Sequence, residues 1–117
     1  SKKVLVVDDE ADVRTFLVAV LEKHGYESRT AEDGLRALEV VREERPDLII
    51  LDLQMPHQTG TGFCRQLQRN KELARIPIIV VSGLPGRDVA LPKPVAVFDK
   101  PIDPVDFINT VDEALGV

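Results

Sequence analysis

The sequence predicts an α/β fold in which a five-stranded parallel sheet carries helices on both of its faces. Short apolar runs rich in branched side chains alternate along the chain with stretches whose apolar residues recur at helical spacing. Parallel strands need long crossover connections, and a helix between successive strands supplies them. The 117 residues are enough for one domain with its own core, so we expect residues 1–117 to form a single domain.

The first half of the chain contains two strand–helix pairs. Val4–Val7 is a short, branched apolar run, which favours a buried strand over a buried helix. The next apolar residues follow helical spacing and predict a helix that Gly25 ends: Val13, Phe16, Leu17, Val20 and Leu21. Tyr26–Thr30 mixes apolar and polar residues, which is typical of an edge strand. A second helical stripe comes after it, at Leu35, Leu38 and Val41.

The second half continues the same alternation. Leu48–Leu51, Ile78–Val81 and Val95–Phe98 are further apolar runs and predict three more buried strands. Phe63 and Leu67 predict a short helix between the first two of them. The last helix is marked by an N-cap aspartate, a proline at its first position and one apolar face: Asp103, Pro104, Phe107, Ile108, Val111 and Leu115.

The composition argues against several classes of partner. Fifteen basic and twenty acidic residues are interspersed and give a net charge of -5, which disfavours a nucleic-acid surface. The longest apolar run, Phe16–Leu21, has six residues, whereas a membrane span takes about twenty. A single cysteine, Cys64, excludes an internal disulfide framework, and the start of the chain shows no signal-peptide pattern. We therefore expect a cytoplasmic protein that has neither nucleic acid nor membrane as a partner.

Charged and hydroxyl side chains stand where four of the predicted strands end. Asp8 and Asp9 follow the first strand, Asp52 the third, Ser82 the fourth and Lys100 the fifth. Open parallel sheets bind ligands beyond the carboxyl ends of their strands, so these residues are expected along one rim.

The residue types on this rim suit phosphoryl transfer. Converging carboxylates repel one another unless a cation lies among them, and Mg²⁺ prefers oxygen ligands. An aspartate such as Asp52 can then act as a nucleophile towards a phosphorylated donor. Lys100 would supply positive charge, and Ser82 a hydroxyl donor. Taken singly, the acids before the first helix could instead be favoured by its dipole, and Asp52 could open a turn.

Four segments carry a resemblance to the receiver domains of bacterial two-component response regulators: VLVVDDE, LIILDLQMP, IIVVSG and FDKP. The resemblance implies a flavodoxin-like sheet with strand order 2-1-3-4-5. It implies a signalling module of a phosphorelay that uses Mg²⁺ or Mn²⁺ and receives its phosphoryl group from a sensor histidine kinase or a histidine phosphotransfer protein. It implies no enzymatic activity beyond the module's own phosphorylation and dephosphorylation, and leaves open which downstream protein or fused output domain receives the signal.

The resemblance also assigns a role to each matching residue. Asp52 would be the phosphoacceptor, and Asp9 and Asp52 the side-chain metal ligands. Gln54 would lend its backbone carbonyl to the metal, and Asp8 would order the metal's water shell. Lys100 would pair with the phosphoryl group. Ser82 would bond that group and carry the conformational switch.

Two departures from the family pattern lie near the end of the chain. The segment 83–94 is short and contains Pro85, Pro92 and Pro94, so we expect the fourth helix to be short or missing. Val97 stands where the family usually has a tyrosine or phenylalanine that rotates with the switch hydroxyl, and Phe98, one residue later, faces the other side of its strand. The hypothesis is that phosphorylation is kept and the output face is altered.

Two other functions compete with a phosphoacceptor. A degenerate receiver would be a constitutive protein-docking module that never uses its site, although the complete set of site residues disfavours it. A phosphatase or a flavin carrier on a similar sheet is the other. A haloacid-type phosphatase would need an acid where Gln54 stands, and the acidic DDEAD segment would repel the phosphate of a flavin.

Overall fold

Five strands form one parallel sheet in the order β2-β1-β3-β4-β5, which confirms the predicted fold class. The structure is a computed structural model that describes residues 2–52, 60–82, 96–99 and 101–117. The strands are β1 (Lys3–Val7), β2 (Glu27–Ala31), β3 (Leu48–Asp52), β4 (Ile78–Ser82) and β5 (Ala96–Asp99). The helices are α1 (Ala11–Lys23), α2 (Gly34–Glu44), α3 (Gly60–Gln68), a 3-10 helix (Leu73–Arg75) and α4 (Pro104–Leu115).

The sheet separates two apolar cores because side chains alternate between its faces. Val7 and Leu51 belong to the core beneath α2 and α3. Val6 and Ile50 belong to the core beneath α1 and α4. The interior strands β1 and β3 are covered on both faces, which explains why their sequences are unbroken apolar runs.

Local signals fix two helix ends as the sequence predicts. The Asp103 side chain accepts hydrogen bonds from the backbone N–H of Val105 at 2.8 Å and of Asp106 at 3.3 Å, and Pro104 occupies the first turn of α4. Gly25 follows α1 with a φ of 86°, a conformation that favours glycine.

The exposure of two elements differs from the prediction. Leu35 is 60 % exposed, so it does not belong to the apolar face of α2, which is formed by Ala37, Leu38, Val40 and Val41. The strand β5 alternates half-buried and exposed residues instead of being fully buried. It lies at the edge of the sheet, where one face of a strand can remain in water.

The predicted change in the fourth helix agrees with the four α-helices found in the described ranges. Residues 83–95, where that helix would fall, lie outside the described residues. Cys64 is a core residue, as predicted, and burial raises the pKa of its thiol to about 12. None of the helices in the described ranges combines the length and apolar character needed to cross a membrane.

A hydrogen bond ties the start of β2 to the last helix. The buried Tyr26 donates its hydroxyl proton to the Asp112 carboxylate on α4. Burial, followed by the bond to Asp112 and its negative charge, raises the pKa of Tyr26 to about 12 from its usual value near 10. The folded state therefore favours the neutral phenol.

We predict that Tyr26→Phe lowers the free energy of unfolding by about 1–2 kcal/mol, because it removes a hydrogen bond to a charged acceptor and keeps the ring. The contribution of the phenol is fully present below pH 10 and is lost as the pH rises to about 12, since the unfolded chain ionises first. Urea unfolding of both proteins at pH 8 and pH 11 should show the difference shrinking at the higher pH. A difference that is absent or independent of pH contradicts this role.

Candidate functional site

Two buried carboxylates lie at the carboxyl ends of two adjacent interior strands, β1 and β3. Asp8 directly follows β1 and Asp52 is the last residue of β3, and each is 2 % exposed. Val7 pairs with Leu51 in the parallel ladder, so the next residues, Asp8 and Asp52, are neighbours at roughly the 5 Å spacing of adjacent strands. By alternation along β3, Asp52 points towards the same face as Ile50, the face covered by α1 and α4.

Asp8, Asp9 and Glu10 form an acidic cluster beside this position. One carboxylate oxygen from each lies within 4.8 Å of the others; Asp8 is buried, whereas Asp9 and Glu10 are exposed. Carboxylate oxygens are the ligands that a hard divalent cation prefers, so these three residues could hold one. Asp52 lies beside Asp8 at the end of the adjacent strand. The described carboxylates at this rim therefore fit Mg²⁺ or Mn²⁺.

The backbone of residues 8–10 is held by hydrogen bonds to its surroundings. The Asp8 N–H donates to the Ala31 carbonyl at 3.1 Å and so extends the ladder between β1 and β2. The Glu10 N–H donates to Asp8 Oδ1 at 2.9 Å. On α1, Arg14 Nη1 donates to the Asp8 carbonyl at 2.7 Å. These bonds hold the backbone that carries the three acidic side chains.

Sequence reasoning missed Arg14. The available signal was an arginine one helical turn beyond the acidic run, at i+4 from Glu10, where its side chain can reach back towards the helix N-terminus. Scattered arginines elsewhere in the chain gave no reason to single this one out.

The other predicted site residues are only partly described. Asp52 pairs with Val81 in the ladder between β3 and β4, so Ser82 follows one residue further along the same rim. The ladder between β4 and β5 pairs Ser82 with Asp99, the residue before Lys100. Gln54 and Lys100 lie outside the described residues. The described strands therefore bring Asp8, Asp52 and the Ser82 backbone together at the rim formed by the carboxyl ends of the strands.

Val97 and Phe98 lie on opposite faces of β5. Val97 is 48 % exposed. Phe98 packs against Phe107 of α4 with ring centroids 6.2 Å apart at an angle of 66°. The aromatic ring is therefore part of the core beneath α1 and α4, and the side chain on the opposite face of β5 is a small aliphatic one.

A groove of about 670 Å³ runs between α1 and the N-terminus of α4, next to the acidic cluster. Phe16, 40 % exposed, supplies an aromatic surface to this groove. The other lining residues are Glu10, Asp12, Val13, Pro101, Ile102 and Pro104.

Comparison with known proteins gives one consistent result. The family model for the response regulator receiver domain matches residues 4–112. Protein Rrf1 of Nitratidesulfovibrio vulgaris is 33 % identical over 114 residues, covering 97 % of this chain and 83 % of that protein. The alkaline phosphatase synthesis transcriptional regulatory protein PhoP of Bacillus subtilis is 43 % identical over 83 residues, 71 % of this chain, and the match spans only 34 % of PhoP. The crystallised chemotaxis protein CheY4 of Vibrio cholerae has a TM-score of 0.86 at 29 % identity, covering 97 % of this chain and 98 % of that one.

Proposed function

This chain belongs to the response regulator receiver domain family, the phosphorylation-dependent signalling modules of two-component systems, and from that premise we propose that Asp52 is its phosphoacceptor. Receiver domains of this family interact with histidine kinases or histidine phosphotransfer proteins. The observation that carries the proposal is the position of Asp52, a 2 % exposed carboxylate at the end of β3 beside Asp8.

The proposed step is a displacement at phosphorus. A carboxylate oxygen of Asp52 forms a bond to the phosphorus of a phosphohistidine donor, the phosphorus–nitrogen bond breaks, and the imidazole leaves with its electron pair. The product is an acyl phosphate on Asp52. Water later attacks this phosphorus, the bond from phosphorus to the Asp52 oxygen breaks, and inorganic phosphate leaves as the carboxylate is restored, so the chain acts only on its own phosphoryl group.

Receiver domains typically bind Mg²⁺ in an acidic pocket, and the acidic cluster supports the same here. We assign Asp9, Asp52 and the backbone carbonyl of Gln54 as ligands of Mg²⁺ or Mn²⁺, with Asp8 ordering the water shell. When bound, the cation neutralises the charge that builds up on the phosphoryl oxygens. The protein's own part is to hold the carboxylates in place, as the hydrogen bonds of residues 8–10 do.

Lys100 and Ser82 complete the proposed site. Lys100 pairs with the phosphoryl group, and Ser82 bonds it and carries the switch. Val97 replaces the tyrosine or phenylalanine that usually rotates with this hydroxyl, and its side chain is half exposed in β5. This replacement supports an altered output face. Valine has no aromatic ring that could rotate between an exposed and a buried position when Ser82 moves.

The partner is proposed to dock beside the rim. The groove between α1 and α4 opens next to the acidic cluster and presents Phe16, a surface suited to the helix of a histidine kinase or phosphotransfer protein. We further propose that residues 1–117 are one receiver domain, that it works in the cytoplasm, and that nucleic acid and membrane are not its direct partners. This chain matches only about a third of PhoP. The output of the signal is therefore either a separate downstream protein or a domain fused to the receiver domain.

We predict that the wild-type chain gains the mass of one phosphoryl group when it is incubated with acetyl phosphate and Mg²⁺, and that Asp52→Asn does not. Intact-mass spectrometry measures both, with EDTA in place of Mg²⁺ as the metal control. Asp106→Asn, an equivalent change at an exposed position of α4, should label like the wild type. If Asp52→Asn is labelled, a residue other than Asp52 is the phosphoacceptor. A wild-type chain that never labels would support the degenerate docking module.

A further inference from the structure

We propose that Arg14 is a positioning residue for the metal ligand Asp9, and that it acts through the backbone of the acidic cluster. The inference rests on the proposed function, since it concerns the affinity of the same site for Mg²⁺. It is carried by the 2.7 Å hydrogen bond from Arg14 Nη1 to the Asp8 carbonyl.

Each of the two peptide groups that flank Asp9 takes part in a hydrogen bond. The carbonyl of the peptide before Asp9 belongs to Asp8 and accepts from Arg14. The N–H of the peptide after Asp9 belongs to Glu10 and donates to Asp8 Oδ1 at 2.9 Å. Asp9 itself is exposed, so packing does not fix its direction. These two bonds hold the backbone from which the Asp9 side chain projects, and Arg14 supplies one of them.

The start of α1 makes this contact more important. Glu10 is the N-cap residue of α1, and its side chain makes no capping hydrogen bond. Arg14 makes two contacts across this first turn, because its backbone N–H also donates to the Glu10 carbonyl at 3.1 Å. The side-chain hydrogen bond to Asp8 also ties this helix to the residue that precedes the proposed metal ligand, Asp9.

Charge alone predicts the opposite effect of Arg14 on the metal. A guanidinium near the cluster repels a divalent cation, so removing it should tighten Mg²⁺ binding if electrostatics were its only influence. The positioning role predicts weaker binding, because an exposed ligand that must be ordered on binding loses affinity. The sign of the change therefore separates the two roles.

The test measures Mg²⁺ affinity of the complete chain by isothermal titration calorimetry. Arg14→Ala removes both the charge and the donor, and Arg14→Lys keeps the charge but replaces the planar fork by a single ammonium. We expect both to weaken Mg²⁺ binding, Arg14→Ala by about tenfold. Arg36→Ala is the matched control, since Arg36 is an exposed helical arginine whose ion pair is with Glu39. It should bind Mg²⁺ like the wild type.

A second measurement needs no metal. Hydrogen exchange of the Glu10 amide, followed by NMR in metal-free buffer, should be faster in Arg14→Ala than in the wild type, because the loop loses an anchor. Unchanged or tighter Mg²⁺ binding in Arg14→Ala, or unchanged exchange at Glu10, would overturn the proposal. A wild-type chain that binds Mg²⁺ and labels at Asp52 keeps the proposed function intact in that case. Failure of the wild type to bind Mg²⁺ or to label would overturn the function as well.

Discussion

Replacing Phe107 with alanine is expected to lower the free energy of unfolding by about 3–5 kcal/mol. The Phe107 side chain is 0 % exposed and belongs to the core between the sheet and helices α1 and α4. Its ring also packs against the Phe98 ring on β5 in an edge-to-face arrangement, with centroids 6.2 Å apart. The substitution removes most of a buried aromatic side chain and leaves a cavity that the surrounding strands cannot close.

Urea unfolding measures this loss, with Val105→Ala as the control on the same helix. Val105 is 63 % exposed, so its truncation should change stability by no more than about 0.5 kcal/mol. A domain of this size is stable by roughly 5–15 kcal/mol, so Phe107→Ala removes a large part of the total. A loss below about 1 kcal/mol would mean that α4 contributes little to the cooperative core.

The central part of the fold follows from the sequence because a single physical requirement dominates there. Strands β1 and β3 are covered by helices on both faces, and only unbroken apolar runs satisfy that environment. The end of α1 at Gly25 and the start of α4 at Asp103 depend on contacts within a few residues, so local sequence specifies them.

Exposure at the periphery was not predictable in the same way. Leu35 follows the helical spacing of Leu38 and Val41, yet it lies at the beginning of α2, beyond the surface that the sheet covers. Val95–Phe98 has the composition of a central strand, but the sheet order places β5 at the edge. Both outcomes depend on which element is the neighbour, which periodicity alone does not encode.

The candidate site shows the same division. Asp8 and Asp52 were predictable because charged residues directly after buried apolar strands are costly without a partner. Their closeness followed from the rule for parallel sheets, and the pairing of Val7 with Leu51 agrees with it. The contact from Arg14 to the Asp8 carbonyl depends on the conformation of a side chain across the first turn of α1, and no sequence motif predicts that conformation.

The site combines buried and exposed carboxylates, and the difference suits its proposed chemistry. Asp52 and Asp8 are each 2 % exposed, so bulk water has little access to the atom that would carry the phosphoryl group. Asp9 and Glu10 are exposed, so a hydrated cation can reach the cluster from solution. Because magnesium keeps several of its waters, a half-open site of this kind matches its coordination.

The double variant Asp8→Asn/Asp9→Asn is expected to weaken Mg²⁺ binding and to slow labelling by acetyl phosphate by at least about 100-fold. Asparagine keeps an Oδ1 acceptor, so the Glu10 N–H can retain its 2.9 Å hydrogen bond at position 8 and the loop keeps its shape. The variant thus removes two negative charges without removing the geometry. Calorimetry gives the affinity, and a time course of intact mass gives the labelling rate.

Stability in the presence of metal supplies an independent reading of the same change. At a Mg²⁺ concentration ten times its dissociation constant, the wild type should gain about 1.4 kcal/mol in unfolding free energy, and the double variant should gain nothing. Glu10→Gln is the matched control, because Glu10 is the third member of the acidic cluster but has no assigned ligand role. It should bind Mg²⁺ almost as the wild type does. If Glu10→Gln proves as damaging as the double variant, Glu10 is itself a ligand of the cation and the assignment of Asp9 and Asp52 as the side-chain ligands is wrong.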